Sequence, residues 1–478
     1  MARETGHGYV PPGKREDAAR QAAADKKKVD EVYRELLARA PENKVEPRIE
    51  PMARLLDMLG NPERAYPVIH VTGTNGKTST ARMIDALLGA HELRVGRFTS
   101  PHLSSVTERI SIDGEPIGAD DFVRVYSEVK PFLELTDADL SAAGENKLTY
   151  FEVLAALAFA AFADAPVEVA VLEVGMGGLW DATNVADGQV DVVMPISYDH
   201  QQYLGDTLTL IAGEKAGIIK DAGSSPVLAA PPTVVVAAQP EEAAAVLNAR
   251  IGAVGARGVH EGADYGLVRR DPAVGGQLLT LKGLSREFED VFLPLHGAHQ
   301  SVNAASALAA VDAFLTGGDR DLDPDVVAEG FAAVTSPGRL ELVRSSPAVL
   351  VDAAHNPAGA AVLADALEEA FAFSRVVGVV GMLADKNAEE FLAAIEPVLD
   401  TVVVTRSSSP RSLDPADLAE IAIEIFGESR VIEVSTLDDA LLRAVEEVDR
   451  GEDLGAGVVV TGSITTVADA RILFGRGA

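Results

Sequence analysis

The sequence predicts an α/β protein built from two successive domains, each a parallel sheet wound with helices. Three observations predict this. The chain has 478 residues, more than one hydrophobic core usually serves. A strand–glycine turn–helix rhythm starts at Val68. The same rhythm restarts after Ser336-Pro337-Gly338-Arg339, which reads as a linker. Aromatics are only 5%, and the small and β-branched residues that dominate suit helices packed on a buried parallel sheet.

Residues 1–28 are charged and rich in Gly and Pro, and are expected to lack fixed structure. Residues 29–335 form the first predicted domain. Val29 to Ala40 reads as a helix, with Val32, Leu36 and Leu37 near one face. Val68 to Val71 is a short apolar strand, followed by a glycine loop and a helix from Thr78 to Leu88. Phe98 to Leu103 makes a second turn. Thr149 to Ala163 is a helix apolar on most sides, hence buried. Val167 to Val174 and Val190 to Ile196 are buried strands. Residues 222–295 are less regular, with short strands such as Thr233 to Ala237, and are assigned a small accessory sheet. A helix from His299 to Phe314 closes the domain. Residues 336–341 are the linker and 342–478 the second domain. There, strands at 349–351, 376–380, 402–405 and 457–461 alternate with helices at 357–371, 416–425 and 437–448.

The glycine loop is Gly73-Thr74-Asn75-Gly76-Lys77-Thr78, followed by Ser79. Between a strand and a helix, such a loop turns successive backbone N–H groups toward an anion at the positive end of the helix. Glycines let the backbone approach closely. Lys77 would reach the outer phosphates of a nucleotide, and the Thr78 hydroxyl would face Mg²⁺. The broad P-loop pattern fits imperfectly, because Val71 stands six residues before Lys77 where glycine is usual. The first domain is therefore read as a P-loop ATPase domain, and the second as a smaller Rossmann-like one. Ligands in open α/β sheets gather at the carboxyl ends of strands. Glu173, Asp199-His200 and Asp352-Ala353-Ala354-His355-Asn356 all lie at such ends, with Ser100 in the turn after the loop's helix. By position alone, Glu173, His200 and Ser100 could converge on Mg²⁺, and Asn356 could simply cap a helix. Arg339 in the linker is placed to meet a nucleotide between domains. Lys215, by periodicity alone, is a solvated helical lysine, and Lys386 either meets a carboxylate substrate or faces water.

The net charge of −32 excludes nucleic acid as the main partner, because a phosphate backbone needs a basic footprint. A local cradle of N–H groups still allows a phosphorylated small molecule. With no cysteine, disulfides and thiolate metal sites are impossible. No long uncharged apolar run spans a membrane, and the first residues lack a secretory pattern, so a cytoplasmic location is the default expectation. A monomer is the default independently of these features.

Ten segments, in order, give a sharper reading: HVTGTNGKTST (70–80), TSPHL (99–103), YFEVLAALAF (150–159), LEVGMGG (172–178), DH (199–200), GEKAGIIK (213–220), HGAHQSVNAASAL (296–308), SPGRLE (336–341), DAAHNPAG (352–359) and GMLADK (381–386). This set resembles the folylpolyglutamate synthase/dihydrofolate synthase family of the Mur ligase superfamily. The resemblance implies an ATP-dependent amide ligase that adds L-glutamate to dihydropteroate, to a (tetrahydro)folate, or to both, through an acyl phosphate. It implies catalytic roles for Lys77, Lys215 and His355. Lys215 matches the lysine that becomes carbamylated, which replaces the solvated reading above. Thr78, Ser100, Glu173, His200 and the Lys215 carbamate match the ligands of two Mg²⁺ ions, with room for a monovalent cation. Gly73 through Ser79, Asn303, Arg339 and Asp352 match the ATP contacts. Pro101, His102, Phe151 and Glu152 fall on the pterin side, and Asp385 and Lys386 on the glutamate side. Two departures are small: Gly-Lys-Thr-Ser stands where the family often has Gly-Lys-Gly-Ser, and Ala353 replaces a glycine.

Three rivals fit less well. A UDP-muramoyl peptide ligase carries a whole domain ahead of the loop, whereas 72 residues precede Gly73. A P-loop switch protein needs an Asn-Lys-x-Asp strand end, which the sequence lacks. A non-catalytic binding protein would not need Lys77, Glu173, His200, Lys215 and Asp352 together.

Overall fold

The computed structural model describes residues 12–41, 46–449 and 455–476. Eight strands build the first sheet: β1 (Val68–Thr72), β2 (Val95–Phe98), β3 (Ile110–Ile112), β4 (Glu115–Pro116), β5 (Val169–Glu173), β6 (Val190–Val193), β7 (Thr233–Val236) and β8 (Arg257–His260). Their order is β4-β3-β2-β5-β1-β6-β7-β8. The six strands from β2 to β8 in that order are parallel, while β3 and β4 extend the edge antiparallel. β1 sits centrally, with Val71 beside Glu173 of β5. Every residue of β1 and β5 is buried, as sequences with apolar β-branched runs require in a sheet covered on both faces. Both strands aim their carboxyl ends at the same place, so the phosphate loop and Glu173 must meet.

The covering helices are α1 (Pro12–Leu37), α2 (Glu50–Met58), α3 (Lys77–Ala90), α4 (Ala119–Ala142), α5 (Tyr150–Asp164), α6 (Gln201–Leu204), α7 (Leu208–Lys215), α8 (Glu241–Val254), α9 (Ala298–Thr316) and α10 (Pro324–Ala332). Thr149 and Glu152 close the start of α5 with a reciprocal capping box. The small sheet is β9 (Gly266–Ala273), β10 (Gly276–Lys282) and β11 (Glu287–Leu293), antiparallel throughout. After residues 336–341 come β12 (Glu341–Ser345), β13 (Ala348–Val351), β14 (Arg375–Val380), β15 (Thr401–Val404), β16 (Val431–Glu433) and β17 (Ala456–Thr461), in the order β12-β13-β17-β14-β15-β16. All but β12 run parallel. Helices α11 (Pro357–Ala370), α12 (Ala388–Ile395), α13 (Pro415–Phe426), α14 (Leu437–Asp449) and α15 (Ile464–Leu473) flank this sheet.

The α/β architecture matches expectation, with three differences. Helix α1 runs back to Pro12, so residues 12–28 are not the unstructured stretch expected; residues 1–11 of that expectation lie outside the described residues. The strand at 233–236 joins the main sheet beside β6, and only residues 266–293 form the accessory sheet. Its pairing to β6 is a long-range contact that local composition does not encode. Sequence analysis assigns no element to 104–148, yet α4 fills 24 residues of it. Pro131 interrupts the pattern, although Phe122, Val125, Tyr126, Val129 and Leu133 keep a 3.6-residue spacing into the core.

One buried ion pair fixes α3, and so the loop ahead of it, to the sheet. Arg97 of β2 donates to Asp85 of α3 and, from its other nitrogen, to the Ser111 hydroxyl at 2.8 Å. Both charged groups are almost fully enclosed. Removing one partner strands the other charge. Arg97→Ala is therefore expected to destabilise the first unfolding transition by about 3–5 kcal/mol, read from urea denaturation; an unchanged midpoint would show that α3 is anchored otherwise.

Candidate active site

The loop 73–76 leaves β1 and enters α3 with two glycines at positive φ, +142° at Gly73 and +86° at Gly76. A Cβ at Gly73 would lie 2.6 Å from the Cβ of Met194, and one at Gly76 would lie 2.6 Å from Asn303 Oδ1. Only glycine fits either place. The Thr74 hydroxyl donates to Ser197 O at 3.1 Å and accepts from Ser197 N at 3.0 Å, tying the loop to the end of β6. Lys77 Nζ donates to the carbonyls of Gly73 and Thr74, each at 3.1 Å.

Lys215, the last residue of α7, is buried and donates to the same Gly73 carbonyl at 2.8 Å. Burial, with the nearby Lys77 charge adding to it, pushes its ammonium down to about 7. The solvated reading of Lys215 is thus wrong in its burial: the helix turns this lysine inward. Glu173 receives the Thr78 hydroxyl at 2.8 Å and the Ser100 N–H at 3.2 Å. Burial raises its carboxyl, while Lys77 opposes that shift.

Residues from beyond the linker complete the cavity. Lys386 Nζ reaches Asp199 Oδ1 at 3.2 Å, and His355 Nε2 lies 4.0 Å from Asp199 Oδ2. Burial opposes ionisation of Asp199, yet His200, Lys386 and His355 hold it below the usual carboxylate range. Burial pushes His200 and His355 down to about 4, so both are neutral near pH 7. His355 Nδ1 lies 3.0 Å from Ala353 O, which can only accept, so Nδ1 carries the proton and Nε2 is an acceptor. Asn356 caps α11 and donates to Asn75 Oδ1 at 3.4 Å, joining the second domain's signature to the phosphate loop. A single cavity of about 910 Å³ is lined by every site residue that the sequence singled out, from Gly73 to Lys386.

Several of these residues carry structural work as well. Both oxygens of Asp352 accept backbone N–H groups, from Leu340 and Ala354 at 2.8 Å each, so Asp352 holds the linker. Glu152 serves the capping box of α5 and pairs with Arg48 at 3.3 Å. His102 is held between Arg109 Nε at 2.9 Å and Tyr33, and Pro101 follows a cis peptide bond. The ring of Phe151 packs on Gly175, where a Cβ would come within 2.5 Å of it. His200 turns to Asp199, 3.7 Å away, rather than visibly to Glu173. Asn303 is buried and donates to Gln300, which reaches Ser79. Sequence reasoning missed Asp199 as a bridging acid, Asp181 and Trp180 in the wall, and Arg411. Arg411 lies well into the loop between β15 and α13, so the strand-end rule that found Asp352 next to β13 points to that loop but not to the residue.

Among the described residues, no three His, Cys, Asp or Glu side chains gather as a metal-binding cluster. Glu173 with the hydroxyl of Thr78 and Ser100 alongside is nonetheless a hard oxygen set, which suits Mg²⁺ completed by water and phosphate oxygens. No helix among the described residues is long and apolar enough to cross a membrane.

Comparison with known proteins agrees with this geometry. Residues 71–311 match the Mur ligase middle domain, and residues 338–464 the Mur ligase glutamate ligase domain. A Mycobacterium tuberculosis dihydrofolate synthase/folylpolyglutamate synthase is 50% identical over 452 residues, covering 92% of each chain. An Escherichia coli dihydrofolate synthase/folylpolyglutamate synthase is 32% identical, over 88% of this chain and 89% of that one. The structure of a Mycobacterium tuberculosis folylpolyglutamate synthase complexed with ADP and AMPPCP superposes with a TM-score of 0.89 at 48% identity, covering 95% of this chain and 99% of the other.

The glycine constraint gives a direct test. Gly76→Ala places a methyl against Asn303 at a strained φ, costing roughly 1–3 kcal/mol, or about one to two orders of magnitude in affinity. Calorimetric titration with ADP should show that loss, with the far-ultraviolet circular dichroism unaltered. Unweakened ADP binding would mean the loop does not grip phosphate.

Proposed function

We infer the reaction from one established premise: the chain belongs to the folylpolyglutamate synthase/dihydrofolate synthase family of Mur ligases. It is an ATP-dependent ligase that forms an amide bond between glutamate and the carboxylate of dihydropteroate or a folate. The observation that carries this reading is the single cavity in which the phosphate loop, Lys215 and the His355–Lys386 wall of the second domain face one another. Such a cavity can hold a nucleotide and a carboxylate at one end, and deliver an amine from the other.

In the first step a carboxylate oxygen of the pterin substrate attacks the terminal phosphorus of ATP, and the bond to ADP breaks. In the second, the amine of glutamate attacks the acyl carbon, phosphate leaves, and the amine gives up its proton. Gly73 to Ser79 cradle the phosphates, and Lys77 balances charge on the transferred group. Asn303 and Arg339 approach the nucleotide from the sides. Glu173, Thr78 and Ser100 would hold Mg²⁺, which when bound neutralises charge on the phosphate oxygens. Lys215, buried and close to neutral at working pH, is the form of amine that takes up carbon dioxide; its carbamate would add an anionic oxygen ligand at the loop. Phe151 and the Pro101-His102 turn line the pterin side, in keeping with a flat heterocycle. His355 Nε2 accepts from the incoming amine and keeps its lone pair aimed at the acyl carbon. Lys386 spends one of its three donors on Asp199 and offers the others to the α-carboxylate.

The acceptor separates the possible activities. Phosphate release from ATP should require a pterin substrate and L-glutamate together, measured with dihydropteroate and tetrahydrofolate side by side. Release with neither pair would sink this reading. Lys215→Ala should lose most activity and regain part of it with added small carboxylates; full activity in that variant would rule out the carbamate.

A further inference from the structure

We propose that Arg411, aimed by Asp385, takes the side-chain carboxylate of the incoming glutamate and makes the enzyme select glutamate over its neutral analogues. This rests on the ligase reading above, and names a specificity residue for it.

Glutamate carries two carboxylates, and a site that selects it must answer both with cations. On the second domain's wall of the cavity, Lys386 and Arg411 are the two cations carried by the loops that follow β14 and β15. They differ in depth. The Lys386 side chain is 13% exposed and reaches inward to Asp199, beside His355. The Arg411 side chain is 41% exposed and lies on the solvent side of the cavity. The α-carboxylate neighbours the reacting amine and belongs at the inner cation. The side-chain carboxylate, farther from that amine, reaches the outer one.

The loops carrying both cations are joined. Ala384 N donates to Arg411 O at 2.9 Å, Leu413 N to Met382 O at 2.8 Å, and Leu383 bridges Ser412. The spacing between the two cations is therefore held by backbone rather than by flexible side chains alone. Asp385 then orients the guanidinium: one nitrogen, Nη2, lies 2.7 Å from each Asp385 oxygen. The remaining N–H groups, on Nε and Nη1, have no protein partner among the described residues. A planar guanidinium fixed through one nitrogen still offers the rest to a carboxylate. An aspartate at the cavity wall would otherwise repel an anionic amino acid. Its engagement with Arg411 makes Asp385 a positioning residue in this proposal, in addition to the place on the glutamate side expected from sequence.

The test uses the full-length enzyme in steady state with ATP and the preferred pterin substrate. Arg411→Met should raise the KM for glutamate about ten- to a hundredfold, the loss typical of a charge-assisted pair. The KM for ATP should stay put. The ratio of kcat/KM for glutamate to that for glutamine should collapse toward one. Arg411→Lys, which keeps charge without the fork, should fall between the two. Asp385→Asn should raise the glutamate KM severalfold while leaving the preference over glutamine. A wild-type enzyme that ligates glutamate, with Arg411→Met unchanged in glutamate KM and in that ratio, would overturn the assignment. A wild-type enzyme that releases no phosphate with any pterin substrate and glutamate would overturn the ligase reading instead. A parallel rise in the KM for ATP would mark a general collapse of the cavity and would also count against Arg411.

Discussion

Two lysine ammonium groups, Lys77 and Lys215, share one carbonyl oxygen, that of Gly73. Much of the cavity depends on that crowding. Two like charges in a low-dielectric pocket repel, and each is costly to desolvate. Glu173 and Asp199 offset part of this, but Glu173 is itself raised by burial. A polyphosphate entering the loop would supply the missing negative charge and take Lys77 from the carbonyl. Neutralisation of Lys215 as a carbamate would remove the second cation and replace it with an anion. Both events would relieve the same crowding, so the proposed carbamate at Lys215 would be coupled to nucleotide binding through a single backbone oxygen.

The sheet explains why that oxygen lies where it does. β1 and β5 are adjacent and parallel, and their register sets Val71 beside Glu173. The loop after β1 and the carboxylate ending β5 are thereby brought together, and Thr78 closes the distance by hydrogen bond. Helix α3 is pinned behind by Arg97 and Asp85. The second domain needs only short links to complete the site. Asn356 to Asn75 and Lys386 to Asp199 supply them, and both are polar contacts that a ligand can replace. Farther out, Arg270 of β9 pairs with Glu369 of α11, which braces the accessory sheet against the second domain away from the cavity.

What the sequence disclosed follows from which interactions are local. The phosphate loop, the buried strands and the cap at Asn356 are written in neighbouring residues, and the structure holds them as expected. Lys215 was illegible by periodicity, because α7 is short and its inward turn depends on contact with a loop 142 positions away in the chain. Helix α4 was hidden by one proline. The pairing of β7 with β6 is a tertiary choice that overrides a Pro- and Gly-rich neighbourhood. Asp385 lies in the cavity wall as its sequence position suggests, but its pairing with Arg411, 26 residues on, is a contact that local sequence does not encode.

Net charge adds a last constraint. At −32, the protein's long-range field repels ATP, folates and glutamate alike. Recognition must therefore come from short-range contacts that a distant field does not decide. At physiological salt the field is screened within about 8 Å, whereas the loop amides, Lys77, Lys386 and the fork of Arg411 act at hydrogen-bond distance. Lys77, Lys215, Arg339, Lys386 and Arg411 are each tied to a carbonyl or carboxylate of the protein itself. Those internal partners offset part of the repulsion among the cations before an anion arrives, and Lys386 and Arg411 still have further donors to offer it. Selectivity then depends on which ligand sets an anionic group against the donors that those internal partners leave open.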